Sequence, residues 1–203
     1  MQPPIISSNQ GGDNPSLWVC RFSSLIPKGG EVLDLACGKG RHAKWLAAQG
    51  WQVEAVDRDP AALAEIQGIR NISTRQADLE SGNWPYVGHH FHGVVVSRYL
   101  HRPLLPLLVD ALHDGGVLIY ETFMLGHECL GKPQNPDFLL RRSELLEAFS
   151  QLSLVAFEQG EVRLPCPAVI QRFCAVKGTA QVLPEPLGGQ AADTDQGLIP
   201  CAS

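Results

Sequence analysis

Glu31-Val-Leu-Asp-Leu-Ala-Cys-Gly-Lys-Gly-Arg41 decides the fold. An apolar run from Val32 to Leu35, interrupted only by Asp34, breaks into Gly38 and Gly40, and a helical pattern, His42-Ala-Lys-Trp-Leu-Ala-Ala-Gln49, follows at once. A strand, a glycine turn and a helix start in that order bring bare backbone against a nucleotide-sized ligand. Glycine serves the turn twice: it takes positive φ without strain, and lacking a Cβ it lets a ligand reach the main chain. A tight strand-to-helix turn that holds no ligand has the same spacing.

Two ligand classes use such a turn. Gly38-x-Gly40-x-x-Ala43 satisfies the dinucleotide fingerprint. Asp34 argues the other way, because a carboxylate just before the loop repels a diphosphate, whereas it attracts an ammonium group directly or through water. The order acidic-x-Ala-x-Gly-x-Gly thus suits an amino-acid-bearing nucleoside better than NAD. It resembles the first motif of the class I S-adenosylmethionine-dependent methyltransferases, an acidic residue followed by a glycine triplet, with Ala36 standing where that family has its first glycine. The resemblance implies a cofactor turn built from Asp34, Ala36, Cys37, Gly38 and Gly40. Cys37 itself reads as a small buried filler rather than a nucleophile.

The rest of the chain supplies matching strand ends. After a helix closing at Gly50, a second strand over 51–56 finishes on Asp57-Arg58-Asp59-Pro60. An acidic side chain at that tip accepts hydrogen bonds from vicinal ribose hydroxyls, which gives Asp57 a binding role. Asp59 caps the next helix, with Pro60 at its first position. Arg58 joins the cofactor-binding candidates. A third strand, 72–75, leads to Gln76-Ala-Asp-Leu-Glu80; the resemblance implies that Asp78 accepts from the adenine amino group and Leu79 packs on the ring, while a plain turn aspartate is the alternative. A fourth strand, 93–97, ends in Ser97-Arg-Tyr-Leu-His-Arg-Pro103. Ligands of open parallel sheets sit beyond the carboxyl ends of the strands. Ser97 is therefore a cofactor candidate, and Arg98, Tyr99 and His101 face the acceptor. A helix from Pro103 closes at Asp114-Gly-Gly116, and a fifth strand, 117–120, runs into Glu121.

The alternation predicts an α/β protein with a Rossmann-like, doubly wound sheet. The stretch from Met124 to Asp137, carrying His127, is too long for a plain connection and reads as a lid or binding loop. Ser143 caps a helix over 144–149, and strands over 152–158 and 168–176 form a C-terminal antiparallel pair, completing the mostly parallel seven-stranded sheet that the resemblance implies. At the front, Asn14-Pro15 caps a helix reaching Leu25, whose apolar stripe either covers the sheet or turns Trp18 to the site. The resemblance implies a methyltransferase domain over 14–177. Residues 1–13, rich in Pro, Ser, Gly and Asn, read as a flexible N-terminus, and 178–203, with no Lys or Arg, as a disordered tail.

Composition narrows the partners. A net charge of −5 argues against broad contact with nucleic acid. No apolar run approaches a membrane span and no leader pattern opens the chain, so a cytoplasmic protein without membrane contact is expected. Cys20, Cys37, Cys129, Cys166, Cys174 and Cys201 form no CxxC pair, which fits free thiols in a reducing compartment. His89-His90-Phe91-His92 has metal-ligating residue types without a partner at ligand spacing, and reads as a solvated loop edge; no metal is assigned. Oligomeric state is left open.

Gly131-Lys-Pro-x-Asn-Pro-Asp-Phe-Leu-Leu140 and the small size resemble the tellurite-resistance and thiopurine-type methyltransferases. Methyl transfer from a sulfonium is an in-line displacement, so the protein's task is to align nucleophile and methyl and exclude water. A thiol or a soft oxyanion needs little general base; an oxygen or nitrogen acceptor would draw on His101 or Glu121. Tyr99 positions the acceptor, His127 is a further candidate, and Arg98, Arg102, Arg141 and Arg142 attract an anion to the mouth, the last two being equally readable as a solvated helix entry. The expectation is methyl transfer to a small-molecule acceptor. Its rivals are an NAD-type oxidoreductase, disfavoured by Asp34 and by the lack of sequence for a substrate domain, and a non-catalytic S-adenosylmethionine-binding protein.

Overall fold

A computed structural model describes residues 14–163 and 166–178. The expected flexible N-terminus, 1–13, and all of the expected tail except Gly178 lie outside these residues. Seven strands form a single sheet: β1 (Glu31–Leu35), β2 (Gln52–Asp57), β3 (Ile72–Gln76), β4 (Phe91–Ser97), β5 (Leu112–Phe123), β6 (Ser153–Val162) and β7 (Ala168–Val176). Their order is β3-β2-β1-β4-β5-β7-β6. β1 to β5 pair in parallel, and β7 runs antiparallel to both of its neighbours. This is the α/β, doubly wound, mostly parallel sheet with a C-terminal antiparallel pair that the alternation implied.

Strand parity builds the two layers. Leu33, Leu35, Val94, Val96, Leu118 and Tyr120 face one side, where α4 (Leu105–Asp110) and α5 (Glu144–Ala148) pack. Val32, Val53, Ala55, Val95, Val117 and Ile119 face the other, under α1 (Leu17–Phe22), α2 (Arg41–Ala48) and α3 (Pro60–Ala64). Side chains alternate with period two along a strand, so both faces of β1 and β4 must be apolar, as their sequences are.

Three local readings are corrected. α1 begins at Leu17, not Pro15, because the Ser16 hydroxyl takes the Trp18 N–H at 3.2 Å and is the cap. Its stripe covers the sheet: Trp18 is 3% exposed, and its indole N–H donates to the Phe173 carbonyl on β7 at 3.2 Å. Ser143 stands at the head of α5 at φ 59° with no capping bond, and Gln171 of β7 accepts from the Leu145 N–H instead, at 3.2 Å. β5 starts five residues before Val117, since a register shift opposite Phe91 and Gly93 absorbs the Asp114-Gly-Gly116 turn within the strand.

At the head of α2, Gly40 has φ 71°, and a Cβ there would lie 2.7 Å from Cγ2 of Ile66. Gly38 has φ 54°, with open space where its Cβ would be. Gly40→Ala is therefore expected to cost about 2–5 kcal/mol, left-handed strain plus overpacking. Gly38→Ala is expected to cost only the strain, about 1–2 kcal/mol. Denaturant unfolding of the two variants checks the difference.

Candidate functional site

A cavity of about 330 Å³ lies across the carboxyl ends of β1 to β5. Ala36 lines it from the tip of β1, Asp57 and Arg58 from β2, and 77–80 from the segment after β3. Arg98, Tyr99 and Leu100 follow β4, Thr122 and Phe123 end β5, and Pro133 and Phe138 descend from the long loop. Carboxylates (Asp57, Asp78 and Glu80) thus gather at the β2–β3 end, while the β5 end is walled by Phe123, Pro133 and Phe138.

Two lining residues are non-glycine residues in left-handed conformation, Ala36 at φ 51° and Arg98 at φ 57°. Each such residue costs about 1–2 kcal/mol. Cross-strand bonds hold them: the Cys37 N–H donates to the Val56 carbonyl at 3.0 Å, and the Arg98 N–H to the Glu121 carbonyl at 2.9 Å. Asp57 works inside the protein as well as toward the cavity. One carboxylate oxygen accepts from the Gly38 N–H at 2.7 Å and the other from the Asp59 N–H at 2.9 Å. The division of one binding and one structural aspartate therefore holds only for Asp59, which caps α3 through the Ala61 N–H at 2.9 Å. Asp78 likewise closes a turn, accepting from the Glu80 N–H at 3.0 Å while lining the cavity beside Leu79.

Asp34 is the main correction. It is 1% exposed, and its carboxylate accepts from the Ala43 N–H inside α2 at 2.9 Å. It shares the face of Val32, beneath α2, so it turns away from the cavity and cannot choose between an ammonium and a diphosphate. Gly38, Gly40, Cys37 and Ser97 do not line the cavity either. Burial, then the nearby charges of Asp34 and Asp57, push the Cys37 thiol up, so it stays protonated. The Ser97 hydroxyl accepts from Arg41 at 2.8 Å, and Arg41 also reaches the Asn14 carbonyl at 3.2 Å. Arg41 was missed, although a cation in the first turn of a helix opposes the helix dipole and is itself a signal.

Of the acceptor-facing candidates, Arg98 and Tyr99 line the cavity. The Tyr99 hydroxyl is buried beside Glu80; burial, then the carboxylates of Glu80 and Asp78, raise its pKa, so it keeps its proton. Glu121 is bound to Arg172 at 2.6 Å, and half-buried His101 lies outside the lining. His127 is buried and fully engaged. The Lys132 carbonyl, 3.0 Å from Nε2, can only accept, and the Val169 N–H, 3.4 Å from Nδ1, can only donate, so Nε2 is the donor and Nδ1 the acceptor. Its ring stacks on Phe123 at 4.0 Å. Arg102 and Arg141 pair with Glu144, and none of Arg102, Arg141 and Arg142 lines the cavity. His92 lies within β4, and its Nδ1 accepts from the Glu31 N–H at 3.1 Å, while His89 meets the Glu31 carboxylate at 3.1 Å. Among the described residues no three His, Cys, Asp or Glu side chains are grouped to hold a metal ion.

Residues 32–116 match the methyltransferase domain family. A stretch of 89 residues is 27% identical to the probable S-adenosyl-L-methionine-dependent methyltransferase TehB of Haemophilus influenzae, covering 41% of this chain and 31% of that protein. The chain thus carries a stretch similar to methyltransferase domains, and it spans about a third of the length of the curated relatives it matches. Solved methyltransferases share its fold. The crystal structure of TehB from Haemophilus influenzae superposes with a TM-score of 0.67 at 19% identity, covering 79% of this chain and 61% of that one. A TehB-like S-adenosylmethionine-dependent methyltransferase from Corynebacterium glutamicum gives 0.59 at 19% identity, over 79% and 87%. The glycopeptide N-methyltransferase MtfA with bound S-adenosyl-L-homocysteine gives 0.57 at 16% identity, over 79% and 88%. The positive φ of Ala36 gives a backbone reason for the glycine that the resemblance places there.

Beneath the turn, two buried groups titrate in opposite senses. Desolvation, partly offset by the Ala43 N–H, raises Asp34 from 3.8 to about 7, so the folded protein holds a proton that the unfolded chain releases. This contribution loses stability as pH rises from about 4 to about 7. Desolvation, then the charges of Arg41 and Arg98, lowers His42 from 6.5 to about 3, and its Nε2 accepts from the Ser16 N–H at 3.2 Å. The unfolded chain then binds the extra proton, and this contribution gains stability as pH rises from about 3 to 6.5. The two slopes oppose each other, each at most about 1.4 kcal/mol per pH unit. Asp34→Asn is expected to leave stability rising with pH between about 4 and 6.5, and His42→Gln to leave it falling; denaturant unfolding across that window reads both signs.

Proposed function

We propose that the chain transfers a methyl group from S-adenosylmethionine to a small-molecule acceptor, within the unit 14–177. The observation that carries this is a single cavity joining a carboxylate-rich end at β2–β3 to an apolar end at β5. At the first end, Asp57 would take the ribose hydroxyls, Asp78 the adenine amino group and Leu79 the ring, with Ala36 and Arg58 beside them and Gly38, Gly40 and Ser97 shaping the turn. S-adenosylmethionine would supply the electrophilic methyl. At the other end, Leu100, Phe123, Pro133 and Phe138 would exclude water from the line of attack, which is where alignment outweighs bond-making chemistry. The protonated Tyr99 hydroxyl, buried in the cavity wall, is placed to donate to a polar group bound there.

The engagement of Glu121 with Arg172, and of both His127 nitrogens with backbone, supports an acceptor that needs no general base from them. A thiol or a soft oxyanion of the tellurite type meets that condition, and the apolar walls favour the organic thiol. No helix among the described residues is long and apolar enough to cross a membrane. Together with the free thiols among them, this supports action in a reducing cytoplasm.

Titration calorimetry is expected to show binding of S-adenosylmethionine and S-adenosylhomocysteine but not of NADH; NADH binding alone would return the oxidoreductase reading. Labelled-donor transfer over a panel of thiols, tellurite and small carboxylates is expected to find turnover among the thiols, and silence across the panel would favour a binding protein. Asp57→Ala is expected to weaken S-adenosylhomocysteine at least about tenfold. It should also lower stability by about 1–3 kcal/mol, since two amides lose their acceptor. Unchanged affinity sinks the ribose role.

A further inference from the structure

Residues 124–140 form a strap across the acceptor end of the cavity. It is fastened at its roots, where the Leu125 N–H donates to the Leu140 carbonyl and the Leu140 N–H to the Phe123 carbonyl. Its first half is packed by His127, stacked on Phe123. In its second half, between Lys132 and Phe138, no residue is buried before the chain re-enters the core at Leu139 and Leu140: Pro136–Phe138 is one 3-10 turn, and Phe138 is 46% exposed while still lining the cavity.

That second half is held from outside by Arg102, from the segment after β4. Its Nη1 donates to the Asp137 carbonyl at 2.7 Å and its Nη2 to the Leu139 carbonyl at 2.9 Å, so the two carbonyls flanking Phe138 meet one guanidinium. The same group binds Glu144 of α5 through Nε at 2.7 Å and Nη2 at 3.1 Å. Glu144 is 4% exposed and also accepts from the Arg141 N–H at 2.7 Å. Burial pushes its carboxyl up, but the bonds from Arg102 and Arg141 outweigh this and leave it below its ordinary value, charged. A planar fork with several fixed donors can bind two carbonyls and a carboxylate at once; a lysine ammonium cannot reproduce that geometry.

Resting on the reading of the β5 end as the acceptor side, we infer that Arg102 is a positioning residue for the acceptor: it fixes Phe138 over the cavity, and thereby which acceptors fit, without touching them. Glu144 anchors the clamp, and Phe138 is the element it delivers.

Arg102→Lys tests this while leaving a cation for Glu144, and Phe138→Ala removes the delivered side chain without touching the clamp. Three measurements apply: hydrogen exchange of the strap amides, S-adenosylhomocysteine affinity, and the affinity of S-adenosylhomocysteine-loaded protein for a graded series of alkyl and aryl thiols. Arg102→Lys is expected to speed exchange within 124–140 about five- to tenfold, as for one or two lost hydrogen bonds, with β1 to β4 unaffected. S-adenosylhomocysteine affinity should stay within about threefold in both variants, while both should shift thiol preference in the same direction, toward bulkier members. Strap exchange that stays at the wild-type rate in Arg102→Lys overturns the clamp, and so do thiol preferences that move apart in the two variants. Wild-type protein that fails to bind S-adenosylhomocysteine sinks the methyltransferase reading instead. Wild-type protein that binds the cofactor product but no thiol overturns the acceptor reading, and Arg102's part in specificity with it.

Discussion

The bond from the Gly38 N–H to Asp57, at 2.7 Å, is the constraint on which the site depends. It crosses from the tip of β1 to the tip of β2 and ties the glycine turn to the strand that carries the proposed ribose acceptor. A charged acceptor on a backbone amide is among the stronger hydrogen bonds a protein makes. With the Cys37 N–H on Val56, it fixes the turn to β2 at two points directly after Ala36, which is kept left-handed. The second oxygen of Asp57 reaches the Asp59 N–H, so the head of α3 is set by the same carboxylate. Turn, strand tip and helix start thus share one side chain, and a ligand at that tip would meet a group already oriented.

Much of this was legible in the sequence because the relevant residues are local. Glycine turns, Asp59-Pro60 and the buried β4 run each announce a backbone geometry within a few positions. Asp34 was misread for a reason equally visible in the chain. Valine and aspartate two apart on a strand point the same way, and Val32 faces the layer that α2 covers. The carboxylate was therefore bound for the helix, where it satisfies the Ala43 amide, and its charge was never available to a ligand. The likeness to methyltransferase domains rests on the match over 32–116, and the fold on the sheet order, not on that charge.

What the sequence withheld is long-range pairing. Glu121, Arg102 and His127 have residue types that suggest chemistry, and each is claimed by a partner far along the chain or by backbone within its own loop. Glu121 meets Arg172, which the antiparallel register places beside it. Arg102 crosses to the segment 137–144. A buried charge is tolerated only when paired, and the pairing that satisfies it also withdraws it from catalysis. The cavity residues that went unnoticed, Leu100, Phe123, Pro133 and Phe138, are apolar and look like core until the loop is laid over the strand ends.

The position of β7 has a consequence for how the molecule comes together. The strand formed last in the described chain lies inside the sheet, between β5 and β6, rather than at its rim. Until residues 168–176 arrive, β5 presents a bare edge and β6 has no neighbour, so the C-terminal side of the sheet cannot be finished from the N-terminal strands alone. Because β6 and β7 are consecutive antiparallel partners, they can close on β5 as one hairpin, β7 leading, once the chain has left the ribosome as far as residue 176.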